Sequence, residues 1–502
     1  MTRTSEIVLA TANARYHHTS LSLRCLLANL GPWRERATLL EFTTGETPAD
    51  IVERVLAHRP RLLGLSVYIW NVALLTEVVA MARALDPALV VVIGGPEVSH
   101  ALDGLRIADI ADFVVQGEGE DAFRGLVAEV LAGVRPPERV IGGGLPDLAG
   151  LVPPYSLYSA EDLRQRTTYV EASRGCPYRC EFCLSSLDLQ VRHFPMDELL
   201  AGLQGLIDRG ARNFKFIDRT FNLRVELGAR ILQFFLDRYQ PGMLFHFEVV
   251  PDRLPEALRT LLAAFPEGSL QLEIGVQTLD DRVAERISRR QNVAKMEDNF
   301  RFLRERSRAH VHADLIVGLP GEGLESFGRG LDRLYAMGPQ EIQVGILKRL
   351  RGAPIARHDS AFGMVYSAAP PYEILRTDAL DFPELQRLKR FAFVWDRLIN
   401  RGNLSRTAPL LFGRGGPFGP VLAFADALYA TNGQVHAIAL DRLAEQLVGF
   451  LLASGADPAA VTAAVVEDYR AADRLLPRAL GGEAQPKESP SDRHRRRQLR
   501  HL

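Results

Sequence analysis

At 502 residues the chain exceeds what one ordinary hydrophobic core organises, so two or three packed domains are expected. A formal charge of -1 gives no electrostatic reason for a nucleic-acid surface or a polyanionic partner. No apolar run reaches the roughly 18 residues that span a bilayer, and the start MTRTSEIVLATANARYHH lacks the apolar stretch of a secretory signal, so a cytoplasmic protein without a membrane partner is expected.

Residues 1–145 alternate short apolar runs with helical stretches. Strands are expected over 6–10, 37–42, 62–67, 89–93 and 112–115, with amphipathic helices over 48–57 and 73–85 between them. Nearly continuous apolar strands joined by helices imply an α/β fold, a doubly wound parallel sheet covered on both faces. Ligands of such sheets bind outside the C-terminal strand ends. Four of those ends carry small or polar residues: 13–20 with Asn13 and Tyr16, 66–71 with Ser66 and Tyr68, Gly94-Gly95-Pro96-Glu97, and Gly117-Glu118-Gly119-Glu120. Each alone reads as an ordinary turn, whereas four at one edge point equally to a ligand.

The Gly/Pro-rich passage 134–154 reads as a linker, and the boundary between domains is set at 146–166. A second α/β unit follows over 167–380, with strands over 168–171, 213–217, 244–249, 271–276, 311–317 and 341–347 and helices such as 196–209, 225–239 and 324–337. Six repeats are too few for an eight-stranded barrel and suit a partial (β/α)6 barrel with an open mouth. Helices over 384–400, 418–431, 440–453 and 459–475 then form a helical region, 381–480, and the charged tail 481–502 is expected to be disordered.

Three of the four cysteines fall within Ser173-Arg174-Gly175-Cys176-Pro177-Tyr178-Arg179-Cys180-Glu181-Phe182-Cys183. Such bunching indicates a metal or redox centre rather than disulfides. Three thiolates at this spacing can hold three irons of a [4Fe-4S] cluster and leave the fourth open; zinc would need a further ligand such as His193. Cys25, alone in an apolar helix-like run, reads as a small buried hydrophobe.

CxxxCxxC directly after the first strand of a partial barrel, with Phe182 before the last cysteine, resembles the radical S-adenosylmethionine enzymes. The resemblance implies Cys176, Cys180 and Cys183 as cluster ligands, an open iron that chelates S-adenosylmethionine, and its cleavage to a 5′-deoxyadenosyl radical. It places the backbone near Phe182, and that of the glycine-containing strand at Gly318, beside the adenine. Asp218 would meet the methionyl ammonium or merely cap a helix. Glu248, Glu273 and Gln277 would face the lumen. Glu273 or Gln277 would approach ribose or substrate as catalytic candidates, unless they pair with Arg289 or Arg290. Lys348, Arg349 and Arg351 read as solvated rim charges, with a carboxylate site as the alternative.

A doubly wound domain ahead of this barrel, with VVVIGGPEVS and FVVQGEGEDAF, resembles the cobalamin-binding arrangement of the B12-dependent class within that family. Asn13, Tyr16, Ser66, Tyr68, Gly94, Gly95, Pro96, Glu97 and Gly117 to Glu120 would then line the corrin. The Asp-x-His-x-x-Gly motif that supplies a cobalt-ligating histidine in many cobalamin proteins is absent, and His17 and His18 are mostly solvent-facing candidates. The resemblance implies a methyltransferase that passes a methyl group through methylcobalamin to an unactivated carbon. Rearrangement, cyclisation or oxidation is the alternative, and a non-enzymatic iron-sulfur protein a remote one. The expected partners are a small-molecule substrate, or a peptide, and a flavodoxin or ferredoxin reductant. Substrate choice is expected in the C-terminal helices, where the aromatics of 391–395 and 412–424 form a satellite core or cover the barrel mouth.

Overall fold

The structure, a computed structural model, describes residues 5–413 and 415–482. All but the first two residues of the expected disordered tail therefore lie outside the described residues. The chain divides into two compact units, with the break between Leu385 and Gln386.

The first unit opens with strands β1 (Ile7–Asn13), β2 (Ala37–Thr43), β3 (Leu62–Ser66), β4 (Val90–Gly94), β5 (Phe113–Gln116) and β6 (Val140–Gly142). They form one parallel sheet in the order β2-β1-β3-β4-β5-β6. Period-2 alternation decides which side chains face which helices. Val8, Ala10, Leu63, Leu65, Val91 and Ile93 pack towards helices Pro48–Leu56 and Val72–Leu85 on one face. Ile7, Leu9, Leu62, Val92, Phe113 and Val115 pack towards Leu21–Ala28 and Glu120–Leu131 on the other. The sheet is doubly wound, and its order reverses between β1 and β3. Strand β6 lies inside the passage that reads as a linker. It is three residues long and mostly exposed at the sheet edge, so its composition carries no burial signal.

Six further strands, β7 (Thr168–Val170), β8 (Asn213–Phe216), β9 (Leu244–Val249), β10 (Leu270–Gln277), β11 (His310–Val317) and β12 (Glu341–Ile346), pair in parallel and strictly in chain order, with β7 and β12 as edges. Each of β8 to β11 alternates fully buried with half-buried residues. The buried set includes Phe214, Phe216 and Phe245, which pack with Phe235 of helix Val225–Asp237 at ring distances of 4.3 to 6.0 Å, and Phe247, which packs on Phe216 at 4.8 Å. Truncating one of these rings to alanine is expected to cost about 3–5 kcal/mol. The opposite face presents Lys215, His246, Glu248, Glu273, His312 and Asp314, a polar surface that an ordinary sheet would not bury.

The second unit is helical: Phe418–Asn432, Leu440–Ala453 and Pro458–Ala471 follow the segment that continues from Phe382–Trp395 through a π-helical turn at Asp396–Asn400. Phe391 and Trp395 are fully buried, and Phe391 packs on Trp395 at 5.7 Å and on Phe418 at 4.9 Å. These aromatics form a core of the unit.

Candidate functional site

The C-terminal ends of the front strands and the barrel enclose a cavity of about 840 Å³, near the upper end of ordinary ligand sites. On the front side it is lined by Asn13 after β1, Ser66, Tyr68 and Trp70 after β3, Gly94-Gly95-Pro96 after β4, and Gly117 to Glu120 after β5. The barrel side contributes Tyr169, Glu171, the start of the cysteine loop at Ser173-Arg174-Gly175, then Lys215, Arg219 and Glu248. The opening lies over the β1–β3 order reversal, where doubly wound sheets take their ligands.

Asn71 holds this edge. Buried, it donates from Nδ2 to Thr11 Oγ1 (3.2 Å), Ala12 O (3.1 Å) and Ser66 O (3.2 Å), and accepts the Tyr68 N–H at 2.8 Å. Beyond it the Tyr68 and Trp70 rings stack at 4.4 Å, 9° from parallel, and Tyr68 Oη lies 2.9 Å from Ser22 Oγ. At Gly95, with φ +105, a Cβ would meet Val67 O at 2.7 Å, so the loop reaches this wall only as glycine.

Not every carboxylate at this edge is free. Arg174 binds Glu118 at 2.7 Å, Glu120 at 2.7 Å and Glu171 at 2.8 Å, and Arg192 also binds Glu118. Asn13 donates to His18 O and Glu41. Two residues expected to line the corrin, Tyr16 and Glu97, are not in the cavity lining. Tyr16 is half-exposed and its hydroxyl donates to Glu161 at 2.5 Å. Glu97 is buried, accepts the Tyr372 hydroxyl at 2.7 Å and pairs with Arg351 at 3.3 Å, outside the cavity lining. His18 lines the cavity with its Nδ1 2.6 Å from the Tyr169 hydroxyl; burial, with His17 and nearby cations, pushes its pKa down to about 4. Cys25 is buried in the same wall, its thiol pushed well up by burial and neighbouring Glu171.

The cysteine loop leaves β7 through Ser173–Arg174, which pairs antiparallel with Arg192–His193. Gly175 has φ +90, and a Cβ there would meet Gln190 O at 2.3 Å; glycine lets the loop fold back so that Cys176 N–H donates to Asp188 O at 2.9 Å. Cys176 and Cys180 are buried and Cys183 is half-buried, as is Phe182. Asp218, after β8, accepts Ala172 N–H at 2.9 Å and Ser173 Oγ–H at 2.5 Å, which fixes the loop's base; burial pushes it up to about 7. Glu181 ties the loop to distant chain. It accepts Ser288 Oγ–H at 2.6 Å, lies 2.7 Å from His358 Nε2 and pairs with Arg357, while its N–H donates to Ile287 O at 3.1 Å. Arg289 donates from Nη1 to Cys180 Sγ at 3.3 Å.

A [4Fe-4S] cluster fits this loop. Three thiols project from one segment, two of them buried, and a guanidinium donates to one sulfur, the polarity a thiolate ligand requires. Among the described residues no three His, Cys, Asp or Glu side chains gather closely enough to hold a single metal ion, the three thiols included. The front cavity likewise fits a large flat cofactor, since glycine backbones and a stacked aromatic pair form its walls.

The lumenal face holds a second group. Glu273 accepts from Lys215 Nζ at 3.1 Å and lies 2.9 Å from His246 Nε2; burial alone would raise it, but these partners prevail and hold it down at about 2. Asp314 faces the same lumen, 3.8 Å from His312, and burial reinforced by Glu273 and Glu248 pushes it up to about 8. Glu248 pairs with Arg219 at 3.1 Å. Gln277 ends β10 at φ +72, where the β10–β11 register slips. At Gly318, with φ +90, a Cβ would meet Ile374 Cγ2 at 2.7 Å. Arg349 and Arg351 are paired, with Asp359 and Glu97. Sequence reading passed over Lys215, Trp70, Arg174 and Asp314. The period-2 alternation that marks Glu273 marks Lys215 and Asp314 equally, whereas nothing local distinguishes Trp70 or Arg174.

Comparison with known proteins bears on each part of this site. Residues 7–127 match the model of the B12 binding domain, 170–334 that of the radical SAM superfamily, and 360–457 a family of unknown function (DUF4080). The chain is 28% identical over 347 residues, 62% of its length and 50% of the relative's, to 2-(S-pantetheinyl)-carbapenam-3-carboxylate methyltransferase of Streptantibioticus cattleyicolor. It is 28% identical over 334 residues, 59% of its length and 48% of the relative's, to the cobalamin-dependent radical SAM methyltransferase TokK of Streptomyces tokunonensis. The chain thus spans about half the length of these curated relatives. Among solved structures, the cobalamin-dependent S-adenosylmethionine radical enzyme OxsB with aqua-cobalamin and S-adenosylmethionine bound aligns with TM-score 0.63 at 13% identity, over 95% of this chain and 83% of that one, a likeness of fold.

Proposed function

We propose that this chain, which belongs to the cobalamin-binding radical S-adenosylmethionine family, is a methyltransferase acting on an unactivated carbon of a small molecule. One observation carries the reading: a single cavity has the C-terminal edge of the front sheet on one side and the start of the cysteine loop with the lumenal strands on the other. A ligand of the front sheet thereby faces a ligand of the barrel with no wall between. The methyltransferase names of the two relatives above support the same direction.

In this reading Cys176, Cys180 and Cys183 hold the cluster, with Phe182 and the backbone at Gly318 beside the adenine. The front cavity holds cobalamin through Ser66, Tyr68, Trp70 and the backbones of Gly94, Gly95, Pro96, Gly117 and Gly119. Tyr16 and Glu97, engaged elsewhere, drop out of this set, and Asn13, Glu118 and Glu120 act through their neighbours. When bound, the cluster with S-adenosylmethionine supplies a hydrogen-abstracting radical and cobalamin supplies a transferable methyl group. The chain's part is orientation and exclusion of water. Glu273, ionised through His246 and Lys215, offers acceptors to a ribose or substrate hydroxyl, and Glu248 with Arg219 offers a second polar pair at the cavity rim. Asp314 holds a proton on its carboxyl near neutrality and donates it as a hydrogen bond into the lumen. Asp218 orients the cysteine loop rather than meeting a ligand.

The test is anaerobic reconstitution with iron, sulfide and hydroxocobalamin, gel filtration, and quantitation of bound iron and corrin, followed by incubation with S-adenosylmethionine and reductant. Four irons with one corrin, and S-adenosylhomocysteine formed together with 5′-deoxyadenosine, is the expected result. 5′-Deoxyadenosine alone in a corrin-loaded protein turned over with its substrate would move the function to rearrangement or oxidation.

A further inference from the structure

Strand β10 ends irregularly. Its pairing with β11 skips a residue between Gly275 and Gln277, and Gln277 takes φ +72, a conformation that is unfavourable for a non-glycine residue. A bulge of this kind leaves carbonyls outside the ladder, and buried carbonyls without donors are costly. Val276 O accepts Thr278 N–H at 2.9 Å and Arg289 Nε–H at 3.2 Å, and Gly275 O accepts from Arg289 Nη2. With Nε and Nη2 anchored on backbone carbonyls, Nη1 is held 3.3 Å from Cys180 Sγ.

The segment carrying Arg289 is itself fastened to the cysteine loop. Ser288 has φ +56 and donates to Glu181, whose N–H donates to Ile287 O. Glu181 pairs with Arg357 and lies 2.7 Å from His358 Nε2. Arg289 is therefore a fixed cation beside the loop, and among the described residues it forms no ion pair with a carboxylate.

We propose that Arg289 raises the reduction potential of the cluster through the N–H to Cys180 Sγ. This rests on the assignment of the three cysteines as its ligands. One-electron reduction adds negative charge to the cluster and its sulfurs, and a fixed cation with a hydrogen bond to a ligand sulfur favours that more negative state. Lysine could keep the charge but could not hold Gly275, Val276 and the sulfur at once, because its ammonium is not a planar fork.

The experiment uses the full chain, reconstituted anaerobically, as wild type, Arg289→Gln and Arg289→Lys. Iron is quantified in each, and the midpoint is read by EPR during titration with dithionite. At equal iron content Arg289→Gln is expected to lower the reduced-to-oxidised ratio at a fixed potential about tenfold, ~59 mV for a one-electron couple, with Arg289→Lys between. Identical midpoints in all three overturn the proposal. Should Arg289→Gln fail to load iron, wild-type protein carrying guanidino-15N arginine decides: a 15N coupling to the reduced cluster in HYSCORE spectra is expected, and its absence overturns the proposal. A wild type that binds no cubane overturns the ligand assignment and the proposal together, and the iron count tells that case apart.

Discussion

Arg174→Gln removes the cation that joins the front sheet to the barrel loop. Its guanidinium lies 2.7, 2.7 and 2.8 Å from Glu118, Glu120 and Glu171, and its side chain is 14% exposed. Glu118 would keep Arg192, and Glu120, in the first turn of its helix, would keep part of its stabilisation from the helix dipole. Glu171 would keep no cation among the described residues. A buried charge left without its partner costs about 3–5 kcal/mol. Taking the 385-residue unit as one cooperative transition, an unfolding entropy of about 2.1 cal/mol/K per residue converts this into a fall of about 4–6 °C in Tm. Scanning calorimetry of the cofactor-free protein at pH 7 measures it, and Glu171→Gln placed in the same chain should return part of the loss by removing the stranded carboxylate. A fall below about 1 °C, or no recovery in the double variant, would refute the reasoning.

Cys180→Ala should abolish cluster assembly, and retention of the full iron count and charge-transfer absorbance would sink the ligand assignment. Trp70→Ala should weaken corrin binding about tenfold while leaving iron unchanged, since a stacked ring contributes on the order of 1 kcal/mol beyond its area. Glu97→Gln should leave corrin occupancy unaltered, against the expectation from sequence, because Glu97 is spent on Tyr372 and Arg351; equilibrium dialysis with hydroxocobalamin separates the two variants. Asp314 titrates near 3.8 when unfolded and near 8 in the fold, so the native state keeps a proton that the unfolded chain has released. Stability is therefore lost as pH rises from about 4 through about 8. Asp314→Asn should escape this loss, with a Tm advantage that grows with pH and levels off above about 8. A gap that shrinks as pH rises would contradict the raised pKa.

The two layouts of strands were legible because their cause is local. Period-2 burial on β8 to β11 and continuous apolar runs on β1, β3 and β4 write themselves into neighbouring residues. Strand β6 escaped because an exposed three-residue edge leaves no such trace. The cysteine loop was equally plain, since CxxxCxxC is a spacing within one segment, and so were the four small or polar strand ends of the front sheet, two of them glycine-bearing.

What each polar residue at those ends does was not legible, because its partner comes from far along the chain. Glu97 meets Tyr372, Glu118 meets Arg174, Asp218 meets Ala172 and Ser173, and Arg289 reaches back to Cys180. A carboxylate in a strand-end loop has the same local signature whether it faces a ligand or is neutralised by a distant arginine. The two α/β layers, their strand ends and the bunched thiols follow from backbone periodicity and short spacing along the chain. That the front strand ends and the lumenal strands line one cavity, and which charges there are paired, emerges from packing alone, because desolvation and pairing are set between segments that no local pattern connects.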